Sequence, residues 1–120
     1  MPTDEVNDIN LNDTTNTMEL KSLAFSVGTG YSTILAANQA GGRLNKVVNF
    51  MVSYVANSGA PVLYTLNHGD DIISHVYIRP GENVMIAKSE QPIYCSGYEL
   101  KHKASVNNTI KVSLSYQEIT

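Results

Sequence analysis

With 120 residues, 42% of them hydrophobic, and a net charge of −3, the chain has the size of one domain around a single core. No apolar run approaches the ~18 residues of a membrane-crossing helix, and the acidic opening MPTDEVNDIN is unlike a secretory leader, so the expectation is a soluble chain that keeps to the cytoplasm and has no membrane partner. Cys95 is the single cysteine, which excludes an internal disulfide and agrees with a reducing compartment; the sequons at Asn12 and Asn107 then carry no weight.

In chain order, the first unit is compositional. Residues 1–17 hold Asp4, Glu5, Asp8 and Asp13 with no lysine or arginine, a charge of −4, whereas residues 18–120 sum to +1. Poor in large apolar residues, 1–17 cannot offset its own ordering entropy and is expected to be an extended acidic N-terminal arm. From residue 18 onward the hydrophobic pattern has period two. LKSLAFSV, YSTILAA, KVVNFMVSYVAN, PVLYTL, ISHVYIR, NVMIAK, PIYCS, YELKH and IKVSLSYQ read as strands, divided by GTG, NQAGG, NSGAP, NHGDD, RPGE, SEQP, SG and SVNN. In the last of these strands Ile110, Val112, Leu114 and Tyr116 share one face, with Lys111, Ser113, Ser115 and Gln117 on the other. In KVVNFMVSYVAN strict alternation sets Val48, Phe50, Val52 and Tyr54 against Val47, Met51 and Val55. Both sets are apolar, as in a central strand or one lying at an interface. The expected fold is all-β: an antiparallel β-sandwich or jelly roll of about eight strands over 18–120.

The densest group of ionisable residues is NHGDDIISHVYIRPGE, Asn67 to Glu82. RPGE puts Pro80 and Gly81 at the centre of a type II turn, and NHGDD is a second turn with Gly69 left-handed. His75 then projects from a strand, and His68 is expected in the preceding loop. A double-stranded β-helix metal site requires two histidines one residue apart, and His68, His75 and His102 include no such pair. Asp8, Asn10, Asn12 and Glu19 have the spacing of a calcium loop, but Asp13 stands where the sharp turn needs glycine. No Gly-x-Ser-x-Gly elbow occurs, Cys95 lies in an apolar strand as an inert thiol, and the glycine pairs precede strands and not helix starts. The expectation is therefore no catalytic residues, no metal and no cofactor. KHK at 101–103 reads as a solvated strand edge, too small a basic cluster for nucleic acid. Tyr31, Tyr64, Tyr94 and Tyr98 suit either a sugar-binding face or a protein interface, the latter preferred.

YSTILAANQAGGRLNKVVNFMVSYVANSGAPVLYTL, VYIRPGENVMI, PIYCSGYEL and the final IKVSLSYQE together resemble the layout of small β-sandwich virion proteins of tailed bacteriophages. The similarity spans about 29–118 and rests on Ala37–Asn38, Asn57–Gly59, Pro80–Glu82 and Gly97, while NHGDD and the acidic arm depart from it. The resemblance implies a non-enzymatic structural protein of the virion, assembled in the host cytoplasm. Capsid decoration or cement proteins and head–tail or tail accessory components are the types it implies. Partners would be the protein itself in a closed oligomer such as a trimer, and major capsid or tail proteins. The residues expected to meet partners are Asp4, Glu5, Asp8, Asp13, Val47, Met51, Val55 and Tyr64. Two alternatives stay open: a carbohydrate-binding adhesion module, and a cupin-like metal enzyme using His68, His75 and Glu82.

Acidic side chains on a mobile arm suit coupled folding onto a basic neighbour. Deleting residues 1–17 should leave the body folded by circular dichroism while lowering its occupancy in particles; unchanged occupancy would remove the arm from assembly.

Overall fold

The computed structural model describes residues 19–37, 44–56 and 59–119. Nine strands carry them: β1 (Lys21–Ser26), β2 (Ser32–Leu35), β3 (Leu44–Tyr54), β4 (Val62–His68), β5 (Asp71–Ile78), β6 (Asn83–Ala87), β7 (Ile93–Cys95), β8 (Leu100–Ala104) and β9 (Ile110–Ile119). The domain is an all-β sandwich of two antiparallel sheets, one ordered β2-β8-β4-β5 and the other β1-β9-β3-β6. β3 is the central strand. β9 runs along its whole length on one side, while on the other β6 pairs with Phe50–Ser53 and β7 with Asn45–Val47.

The two turns in the polar stretch have the expected form. Gly81 has φ of 81°, and the Glu82 amide donates to the Arg79 carbonyl at 3.0 Å. Gly69 has φ of 62° and, with Asp70, joins the paired residues His68 and Asp71 in a two-residue hairpin. His68 is thus the last residue of β4 and not a loop residue.

Alternation fills the space between the sheets. Ile110, Val112 and Leu114 of β9, Val62, Tyr64 and Leu66 of β4 and Leu100, His102 and Ala104 of β8 all point inward and are buried. In β3 the expected alternation fails at one place. Ser115 of β9 pairs with Asn49 and Tyr116 with Val47, so Val48 has no opposite number. This bulge reverses the side-chain phase, and Val47 joins Phe50, Val52 and Tyr54 in the core. The expectation that Val47 meets a partner is corrected accordingly: it has no exposed surface. Tyr64 is corrected in the same way, because it too is fully buried.

Tyr64 and His102 form a polar pair inside a largely apolar core. The Tyr64 hydroxyl lies 2.8 Å from His102 Nδ1, and the two rings meet edge to face with centroids 5.6 Å apart. Phe25 reaches across from the other sheet to pack edge-on against His102 at 5.9 Å, and Phe50 lies 6.4 Å from Tyr64. KHK is thereby corrected as well: Lys101 and Lys103 face outward, but His102 between them is a core residue.

Burial holds His102 neutral by lowering its pKa from 6.5 to about 4, and it raises that of Tyr64. Above pH 6.5 the imidazole is neutral in both folded and unfolded chains, and its contribution to stability is complete. As pH falls from 6.5 towards 4 the unfolded chain binds a proton that the folded chain refuses, so stability is lost by up to about 1.4 kcal/mol per pH unit. Thermal melts between pH 7 and pH 4 should show a steeper loss for the wild type than for the double variant Tyr64→Phe/His102→Leu, and equal slopes would contradict this. Tyr64→Phe alone, which strands the His102 nitrogen, should cost about 1–3 kcal/mol at pH 7 in urea unfolding.

Candidate functional site

Three loops converge at one end of the sandwich. The β4–β5 hairpin brings Gly69 and Asp70, the β7–β8 connection brings Gly97, Tyr98 and Glu99, and the end of β2 brings Ala36 and Ala37. The Gly69 amide donates to the Glu99 carbonyl at 2.8 Å, tying the first two together. Tyr98 lies directly on Gly69, where a Cβ would stand 3.1 Å from both Cβ and Cγ of the tyrosine. His68 meets the same ring edge-on at 5.8 Å, and its Nε2 is buried without a hydrogen-bond partner among the described residues. Tyr98 nevertheless stays 65% exposed.

Beside it Thr33 Oγ1 donates to Glu99 Oε1 at 2.6 Å, and Lys101 Nζ stands 4.0 Å from Glu99 Oε2. The result is an open cleft of about 450 Å³ lined by Thr33, Asp70, Gly97, Tyr98, Glu99 and Lys101. Two carboxylates, an ammonium, a hydroxyl and a ring can hydrogen-bond and stack a polar ligand. Among the described residues no thiol or imidazole lines it. The cleft continues onto the outer face of the four-stranded sheet. There Tyr31 lies within 5.0 Å of Lys101 Nζ and 4.6 Å of Lys103 Nζ and donates its hydroxyl to Asn67 at 3.1 Å.

The opposite outer face, on the five-stranded sheet, differs in chemistry. Ser22, Ala24 and Ser26 of β1, Ser113 and Ser115 of β9 and Asn49 and Ser53 of β3 are small and point outward in register. Met51 and Met85 are paired across β3 and β6 and flank a shallow groove of about 440 Å³. Within the area formed by Ser22–Ser26, Lys111–Ser115, Asn49–Ser53 and Asn83–Met85, Lys111 is the one charged residue.

Of the residues expected to meet partners, Met51 lies on this face half-buried and Val55 is 51% exposed just past β3, whereas Val47 and Tyr64 are internal. Asp4, Glu5, Asp8 and Asp13 lie outside the described residues, as do Asp8, Asn10 and Asn12 of the calcium-type spacing. Of the four tyrosines, Tyr31, Tyr94 and Tyr98 are exposed. The histidines do not converge: His102 is in the core, His75 is exposed on β5 and His68 is at the hairpin. Glu82 instead accepts the Arg79 amide at 2.8 Å, and among the described residues no three His, Cys, Asp or Glu side chains come together as metal ligands. Cys95 is buried, which raises its pKa to about 11 and keeps it a neutral thiol. Sequence reasoning missed the Thr33–Glu99–Lys101 group because its members come from β2, the β7–β8 connection and β8, which meet only through the pairing of β2 with β8.

In comparisons with known proteins, no protein-family model, no curated protein and no solved structure matches the chain.

The end of the sandwich depends on Gly69 twice, for its positive φ and for the space beneath Tyr98. Gly69→Ala should lower stability by about 1–2 kcal/mol in urea unfolding. It should also change the environment of Tyr98, read as a shift in the ring resonances by NMR. A wild-type stability and spectrum would contradict the packing.

Proposed function

We propose that the chain is a non-enzymatic structural protein of a tailed-bacteriophage virion, either a capsid decoration or cement protein or a head–tail or tail accessory component. It works through protein–protein contacts in the particle, with itself as a closed symmetric oligomer and with major capsid or tail proteins, after assembly in the host cytoplasm.

One observation carries this reading: the outer face of the five-stranded sheet around Met51 and Met85, where Lys111 is the one charged residue. Depletion of charge and presence of methionine mark the buried centre of protein interfaces. Small side chains let another protein approach the sheet closely, and closed symmetry multiplies such weak contacts into a stable assembly. The acidic segment 1–17 adds a second, electrostatic contact.

The end cleft favours one other reading. An exposed Tyr98 ring beside Asp70, Glu99 and Thr33 has the stacking and hydrogen-bonding groups of a carbohydrate site, so an adhesion module is the competing function.

Mass spectrometry of purified phage particles that carry the gene tests the proposal. The expected result is the chain at fixed stoichiometry to the major virion proteins, with occupancy falling about tenfold or more for Met51→Glu. Absence from particles while the protein is abundant in the lysate would overturn it. So would selective glycan-array binding that Tyr98→Ala abolishes in a chain missing from particles.

A further inference from the structure

The four-stranded sheet ends on one side at β2, four residues long, and on the other at β5, eight residues long. β1, the edge of the other sheet, has six residues and starts with Lys21 in an ion pair with Glu118 at 2.8 Å; β6 has five. β5 is thus the longest edge strand among the described residues. Edges of this length are ordinarily blunted by lysine, proline or a covering segment, because unpaired amides and carbonyls recruit another strand. DIISHVYI contains neither residue, and Ile72, Ile73 and Tyr77 are 57%, 43% and 63% exposed on it. The double isoleucine has a structural cause. Ser74 pairs with Leu66 and Ile72 with Asn67, leaving Ile73 as the extra residue of a bulge, so neither side chain enters the core.

The charges at the two ends of β5 say what fits it. Asp70 and Asp71 stand at its start, and Arg79 stands at its end, 72% exposed with only a 3.7 Å contact to Glu82. An antiparallel copy of the same strand places Arg79 of each chain beside Asp70 and Asp71 of the other, whereas a parallel copy stacks like on like.

We infer that β5 is a self-association edge, pairing antiparallel with β5 of a second copy about a two-fold axis at His75. Two four-stranded sheets then become one continuous sheet across the dimer. His75 faces its own counterpart, Tyr77 comes beside the second copy's Ile73, and the acidic and basic ends meet. The bulge at Ile73 ends regular pairing at the hairpin, and once β5 is occupied the edge left on this sheet among the described residues is the short β2, so the contact closes at two copies and does not propagate. This inference rests on the building-block reading of the preceding section and names a contact by which that block meets itself.

Sedimentation velocity and cysteine crosslinking of the full 120-residue chain test it. The wild type should show a concentration-dependent monomer–dimer equilibrium, and Ile73→Lys, which puts a charge on an already exposed position, should raise the dissociation constant about tenfold or more without changing the circular dichroism. His75→Cys should form a covalent dimer on mild oxidation, since residues directly opposite in an antiparallel pair are within disulfide reach, while Ser89→Cys in an exposed turn should not. A wild type that stays monomeric at the highest attainable concentration would overturn the inference. So would a dimer indifferent to Ile73→Lys in which His75→Cys crosslinks no faster than Ser89→Cys. Neither result touches the particle test, which reads occupancy and not self-pairing, so the two claims fail separately.

Discussion

The contact between the Tyr64 hydroxyl and His102 Nδ1 is a specific polar interaction between fully buried side chains, and it constrains how the strands around it are placed. Apolar burial at about 25 cal/mol per Å² holds the layers together but is indifferent to how they slide. A buried hydroxyl and a buried imidazole are not indifferent, because each is costly unless it finds the other. β4 and β8 are neighbours in one sheet, with Leu66 opposite His102, and Phe25 from the other sheet closes on the imidazole edge-on. The pair therefore fixes the register of β4 with β8 and the placement of β1 above them.

With the core side chains packed between the sheets, the exterior presents three surfaces. The three surfaces differ in chemistry because the strands beneath them differ in what they turn outward: serine, alanine and methionine on the five-stranded sheet, lysine and tyrosine on the four-stranded one, and Ile72, Ile73, His75 and Tyr77 along β5. An almost uncharged face suits a large dry contact. An open strand edge with opposite charges at its ends suits a copy of itself. As proposed above, the first surface is assigned to a different neighbour and the second to a copy of the same chain.

Much of the fold was legible because period-two alternation needs no knowledge of partners: IKVSLSYQ gives up its core set directly, and Gly69 and Gly81 announce their turns through the backbone conformations they permit. Val47 was misplaced because a bulge changes phase without any residue that marks it; Val48 and Asn49 are ordinary strand residues, and the extra position is visible only against β9. Tyr64 and His102 were misjudged for a related reason. A histidine between two lysines looks solvated, and nothing local shows that a tyrosine 38 residues away offers it a partner. The end cleft was legible only as turn-rich segments, since Thr33, Glu99 and Lys101 meet through the pairing of β2 with β8. The Met51–Met85 face was half legible, as the outward serines of β1 and β9 are in the alternation but the pairing of the methionines is not.

The central claim is that Tyr64 and His102 pair inside a core that shuts them off from solvent. The most direct test is an NMR titration of the histidine rings in the full chain. The account predicts one imidazole, assigned to His102 through its contact with Tyr64, that stays neutral through pH 6 and takes up a proton only near pH 4. A His102 that titrates at the ordinary histidine value, or whose resonances move when a divalent metal is added, would mean that solvent and ligands reach the core, and would contradict the account.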